Sequence, residues 1–221
     1  MSGRMSRDMT NGKNGAHPSN YEVTRRRMQA QFAALDLRKI AEVWALDWLD
    51  GGLYADLVSR RFRIDDETGA VTYIRDGEEI EADYNAAMTL YDILTRERAQ
   101  AAGTYSAARN FSALQTGSML ENGFFGGFRD FAERFDGKTA LLSEACRRLG
   151  GEEFGIGDVH MKVPVFRDLC VAVQFWNSDE DFRATLNMLL DDHILQFMHY
   201  ETAMYLSSHL AKRIEEEAAK I

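Results

Sequence analysis

The sequence is poor in several things that would have narrowed its function at once. It has only two cysteines in 221 residues, Cys146 and Cys170. They lie 24 positions apart and form no metal-type pair, so neither a disulfide framework nor a zinc knuckle is implied. Both are expected to behave as small buried hydrophobes. Proline occurs twice. No run approaches the roughly 20 consecutive apolar residues of a membrane span. The charged start of the chain has no apolar segment behind it, so no secretory signal is expected and the cytoplasm is the default compartment. Positive charge is also in deficit: 26 Lys and Arg face 35 Asp and Glu, a net charge of −9. A general nucleic-acid binder needs a basic footprint, so that class is set aside.

What is present reads as one domain after a tail. Residues 1–20 have no hydrophobic period and too little apolar surface to offset the entropy of ordering, so a flexible tail is expected there, with a single domain over 21–221. Residues 1–27 carry six bases against two acids, whereas 150–201 hold ten acids against three bases. The acidic stretch suits a solvated face, or a site for a cation or a basic partner.

Apolar residues at mainly helical spacing over 21–49 predict a long amphipathic helix with a break near Asp36, stopped by Gly51-Gly52. Leu53–Ile64, Val71–Ile74 and Glu78–Ile80, parted by Asp65–Gly69 and Asp76-Gly77, predict a meander of two or three strands. Asp83 is placed to cap a helix reaching about Ala102. Two helices follow at about 127–135 and 137–149. The alternation Val159, Met161, Val163 predicts a half-buried strand, which Pro164 ends or sets at a sheet edge. Leu169–Trp176, nearly all apolar, predicts a central strand. Two helices, about 183–198 and 200–218, close the chain. The pattern is α+β: an antiparallel sheet of four to five strands with helices packed around it.

Three segments could carry chemistry. Asp179-Glu180-Asp181-Phe182, with Asp158, Asp191, Asp192, His193, His199 and Glu201 nearby in sequence, has the residue types of an acid–base or metal site. On a helix over 183–198, His193 falls on the apolar stripe with Leu186, Leu190 and Phe197, which favours a structural role. Acids at 179–181 also suit a turn and helix start, where Asp caps free N–H groups, and no metal site is assigned. Gly150–Asp158 is glycine-rich but has no Lys-Ser or Lys-Thr, and its acids would repel phosphate, so it reads as a connecting loop. Phe124, Phe125 and Phe128, among glycines, could line a pocket for a flat cofactor or fold inward as core.

Val163-Pro164, the apolar strand Leu169–Trp176, Asp179-Glu180-Asp181-Phe182, Leu189-Leu190-Asp191 and Met198–Glu201 together resemble the uncharacterised prokaryotic family called domain of unknown function 3786. Leu90–Leu94, Asn110-Phe111-Ser112 and Gly157-Asp158 extend the resemblance over about 35–213. The chain departs from the family pattern at Ser178, Arg183 and His199, where Gly, Pro and Pro are usual, so His199 is not a family-wide ligand. The resemblance implies a setting in anaerobes and in corrinoid or one-carbon redox metabolism, since some members are joined to a domain like that of corrinoid iron–sulfur proteins. This chain lacks that domain's cysteines. A corrinoid is therefore a cofactor implied by resemblance alone, and a redox or corrinoid protein a possible partner.

Three functions follow as expectations. The first is an accessory cofactor- or partner-binding domain, its candidate residues Phe124, Phe125, Phe128, Asp158, Trp176, Asp179, Glu180 and Asp181. The second is an enzyme using the acidic cluster with Asp192. The third is a structural or homo-oligomerising module built on the Leu206–Leu210 face of the last helix.

Overall fold

A computed structural model describes residues 19–107 and 128–221. Residues 1–18 of the expected tail, and Phe124 and Phe125 in the aromatic segment, lie outside the described residues.

The expected break at Asp36 is real. Helix α1 (Asn20–Ala33) ends, and the Asp36 carboxylate accepts from Lys39 N at 3.0 Å to cap α2 (Leu37–Trp44). The helical reading stops there, because Trp48 lies in a strand. Strand β1 (Asp47–Leu49) turns through Asp50-Gly51, both at positive φ, into β2 (Gly52–Leu57). β3 (Arg60–Asp65), β4 (Val71–Arg75) and β5 (Glu78–Glu81) complete a five-stranded antiparallel meander in sequence order. Its core face carries Leu53, Ala55, Phe62, Ile64 and Val71, all buried.

The β2–β3 turn has no glycine or Asn-Gly signal. Val58 and Ser59 adopt it at φ of 47° and 53°, an uncommon and costly conformation for a β-branched residue. Tertiary contacts hold it. Val58 N donates to Val165 O at 2.8 Å, and the Ser59 hydroxyl donates to Leu149 O at 2.8 Å.

Helix α3 (Tyr84–Leu94) starts at its predicted cap, Asp83, but ends eight residues before Ala102. The amides of Ala102 and Gly103 donate instead to the buried Asp191 carboxylate, at 3.0 and 2.9 Å, and Ala101 N donates to Asp168. β6 (Tyr105–Ala107) follows. Helices α4 (Arg129–Phe135) and α5 (Thr139–Arg148) lead into β7 (Glu152–Glu153), β8 (Val159–Phe166) and β9 (Leu169–Trp176).

The expected helix over 183–198 is corrected. Residues Thr185–Asp191 form strand β10, paired with β9 on one side and β6 on the other; only Ile194–Phe197 is helical (α6). Leu186 and Leu190 fit a helical stripe, but Leu186, Met188 and Leu190 also alternate with a period of two, and pairing between two strands decides the matter. The second sheet runs β6-β10-β9-β8-β7, with the apolar β9 at its centre as expected. Pro164 lies within β8, beyond the short β7 and beside a bulge, where no neighbour needs its missing N–H.

The α+β class holds, its strands divided between two antiparallel sheets of five. Helix α7 (Tyr200–Ala218) packs against α3 and α5. Leu206 and Leu210 are fully buried in this packing. That face therefore belongs to the internal core and offers no surface for oligomerisation.

Candidate anion-binding cleft

The acidic segment is built as turns. The Asp179 carboxylate accepts from the amides of Asp181 and Phe182 at 2.9 and 2.7 Å, closing an Asx-type turn. Asp158 accepts from Asn177 N at 2.7 Å. Asp136 accepts from both the amide and the hydroxyl of Ser178, which hold its carboxyl below the usual range. Glu180 and Asp181 are exposed, and Trp176 ends β9 opposite Thr185. Phe128 is buried beside α4. Structure thus brings Asp158, Trp176 and the 179–181 turn to one end of the second sheet. Asp192 accepts from the Thr104 hydroxyl, and His193 Nδ1 lies 3.0 Å from Gln100 O. Among the described residues no three His, Cys, Asp or Glu side chains gather to hold a metal.

The Gly150–Asp158 loop has a packing role. Gly155, at φ +88°, passes so close to the His160 ring that a Cβ there would lie 2.4 Å from it. Of the thiols, Cys146 is buried and pushed up to about 12 by desolvation, which makes it inert.

A concavity lies elsewhere. β3 pairs with β4 only at Arg63–Thr72 and Ile64–Val71, although both strands run on. β4 stays paired with β5 as far as Arg75. The β4–β5 hairpin therefore peels away from Arg60–Phe62 and opens a cleft of about 780 Å³. Phe62 and Tyr73 meet edge to face across the split, 5.5 Å between centroids, and the Arg60 guanidinium lies 4.2 Å over the Tyr73 ring.

The C-terminal turn of α7 closes one side. Arg213, 4% exposed, donates to Val58 O at 3.3 Å, Glu216 at 2.6 Å and Glu217 at 3.2 Å. Arg60 reaches Glu216 at 2.7 Å and Lys220 reaches Glu217 at 2.7 Å. Burial alone would raise both glutamates; the hydrogen bonds from these cations outweigh it and hold them below the usual range. That wall is charge-balanced. Arg61 and Arg63 of β3 and Arg75 of β4 also line the cleft. Arg63 pairs with Asp65 at 3.0 Å, and Arg61 pairs with Asp47 and, at 3.7 Å, Asp56. The Arg75 guanidinium has no hydrogen bond or ion pair among the described residues.

Six cationic side chains line the cleft against four acidic ones, in a protein of net charge −9. Each guanidinium has five N–H donors in a planar fork, and ion pairs engage one or two of them. Donors therefore remain for a phosphate or carboxylate.

Sequence reasoning passed over these arginines. Arg60-Arg61-Phe62-Arg63 is a dense basic run in an acidic chain, and that was the available signal. The splay of the strands and the docking of α7 had none.

The fold is thus an α+β arrangement of two antiparallel sheets that meet where β2 approaches β8, with a donor-rich cleft at the split edge of the first. The chain belongs to the family described as Domain of unknown function (DUF3786), whose model matches residues 36–213. No curated protein and no solved structure matches it. The matched span includes the cleft residues from Tyr54 to Arg213, while Glu216, Glu217, Ala219 and Lys220 lie beyond it. It also includes the acidic turn. No helix among the described residues is long and apolar enough to cross a membrane.

Proposed function

We propose that this chain is a ligand-binding domain whose ligand carries a phosphate or carboxylate held in the arginine cleft. One observation carries the reading: Arg75, which has no ion pair among the described residues, lines a cavity of about 780 Å³ together with Arg60, Arg61 and Arg63. A volume of this order suits a small organic molecule. The acidic remainder of the surface favours a small anion over a polyanion, whose distant charges it would repel.

Titration calorimetry of the full chain with pyrophosphate tests this. Binding weakened by added salt is expected, and Arg75→Ala should lower affinity about fivefold, since one exposed charged contact is worth ~1 kcal/mol. Absence of binding at millimolar pyrophosphate, or an unchanged affinity in Arg75→Ala, refutes it.

The accessory role in corrinoid or one-carbon redox metabolism is the narrower form of this proposal, and it rests on family resemblance. Hydroxocobalamin, which bears a phosphodiester, is its probe: binding that Arg75→Ala weakens supports the role, and no binding removes it.

A second reading places a redox or corrinoid protein on the acidic end of the second sheet. Phe182 is 73% exposed and Ile156 84% exposed beside Asp158 and Asp179–Asp181, an apolar anchor with an acidic rim. Surface plasmon resonance against a corrinoid carrier protein, with Phe182→Ala as the weakened variant, decides it. Equal signals for the two proteins would discard it.

A further inference from the structure

The cleft does not end at Arg61. Tyr54, Ser59 and Arg61 also line a second cavity, of about 450 Å³, on the other side of the Arg61 side chain. It is bounded by Asp47 and Asp56 from the first sheet and by the Pro164–Arg167 end of β8 from the second.

The two compartments differ in chemistry. In the second, both cations are engaged: Arg61 by Asp47 and Asp56, and Arg167 by the carbonyls of Trp44 and Ala45 at 2.6 and 3.2 Å. The carboxylates are not saturated. An ionised carboxylate offers about four lone-pair sites. The Asp56 side chain is 66% exposed, and 3.7 Å from Arg61 is a weak pairing. The first compartment thus offers surplus donors, and the second offers surplus acceptors beside the Tyr54 ring, which Arg61 covers at 5.1 Å. A bare inorganic anion would fill little of the first compartment, where a single water occupies only about 30 Å³.

We propose that the two compartments are one bipartite site for a phosphorylated polyol, of which a sugar phosphate is the simplest example. The phosphate sits among Arg60, Arg63 and Arg75. The hydroxyl-bearing body passes Arg61 and donates to Asp47 and Asp56. This inference rests on the reading of the cleft as an anion site and adds the class of molecule that carries the anion.

The test is calorimetric titration of the full chain with ribose 5-phosphate and with inorganic phosphate. Ribose 5-phosphate is expected to bind about tenfold more tightly, the order expected of one or two added hydrogen bonds to charged acceptors. Asp56→Asn is expected to bring that margin within about threefold while leaving phosphate affinity unchanged or slightly higher, because a nearby negative charge is removed. Asp56 is on the surface, and a thermal melt confirms that the variant is folded. Arg75→Ala should weaken both ligands. Equal affinity for the two ligands, or an Asp56→Asn effect shared equally by both, overturns the bipartite site and leaves the anion cleft standing. Absence of binding by either ligand overturns both readings together.

Discussion

Arg213→Met tests the joint on which the cleft depends. Arg213 links two elements: the Val58-Ser59 turn through Val58 O, and the last turn of α7 through Glu216 and Glu217. Methionine keeps most of the apolar stem and removes the fork. Breaking a buried ion pair by deleting one partner costs ~3–5 kcal/mol, because a charge is left without its counterpart. Here Glu216 keeps Arg60 and Glu217 keeps Lys220, so the cost falls at the lower end, ~3 kcal/mol. Urea unfolding at pH 7 should show the midpoint lowered by about 1 M. The effect has a pH signature. Both glutamates are held below their unfolded value, so the stability they contribute is present above about pH 4.5 and is lost as pH falls through the folded values. The gap between wild type and variant should therefore narrow below pH 4.5. A loss under about 1 kcal/mol at pH 7, or a gap constant from pH 7 to acid, would refute the reasoning.

Two further substitutions test the frame that positions the cleft. Gly69 stands at φ +67°, where a Cβ would lie 2.5 Å from Gln29 O and 3.1 Å from Ala33 N. Gly69→Ala should cost ~2–4 kcal/mol from backbone strain and overlap, a drop of roughly 10 °C in melting temperature, and a variant within 2 °C or so of wild type would contradict this. Asp191 is fully buried and accepts from Ala102, Gly103 and His193 amides at 3.0, 2.9 and 2.8 Å. Asp191→Ala strands three donors and should cost ~3–5 kcal/mol, with faster hydrogen exchange at Ala102 and Gly103. Unchanged exchange there would show that the carboxylate does not hold this segment.

Much of the chain was legible because its signals are local. The Asp36 and Asp83 caps need only the next turn of backbone, and the apolar run of β9 needs only a place at the centre of a sheet. Family membership was legible for the same reason, since it rests on short motifs between Val163 and Glu201. What failed was long-range. Residues 185–191 fit either period, and only β9 and β6 on either side made them a strand. The helix expected to reach Ala102 stopped at Leu94 because Asp168 and Asp191, far along the chain, take the amides of 101–103.

The sequence by itself determined the α+β class, most of the helix starts, the family and the net negative charge. These follow from nearest-neighbour propensity, capping chemistry and composition. Only the tertiary structure decided where function could reside. The acids that drew attention in the sequence are absorbed largely by turns and caps. The arginines that did not are gathered where β4 leaves β3 and Arg213 arrives from a helix some 150 residues later. A cleft depends on which distant surfaces meet, and no local pattern encodes that.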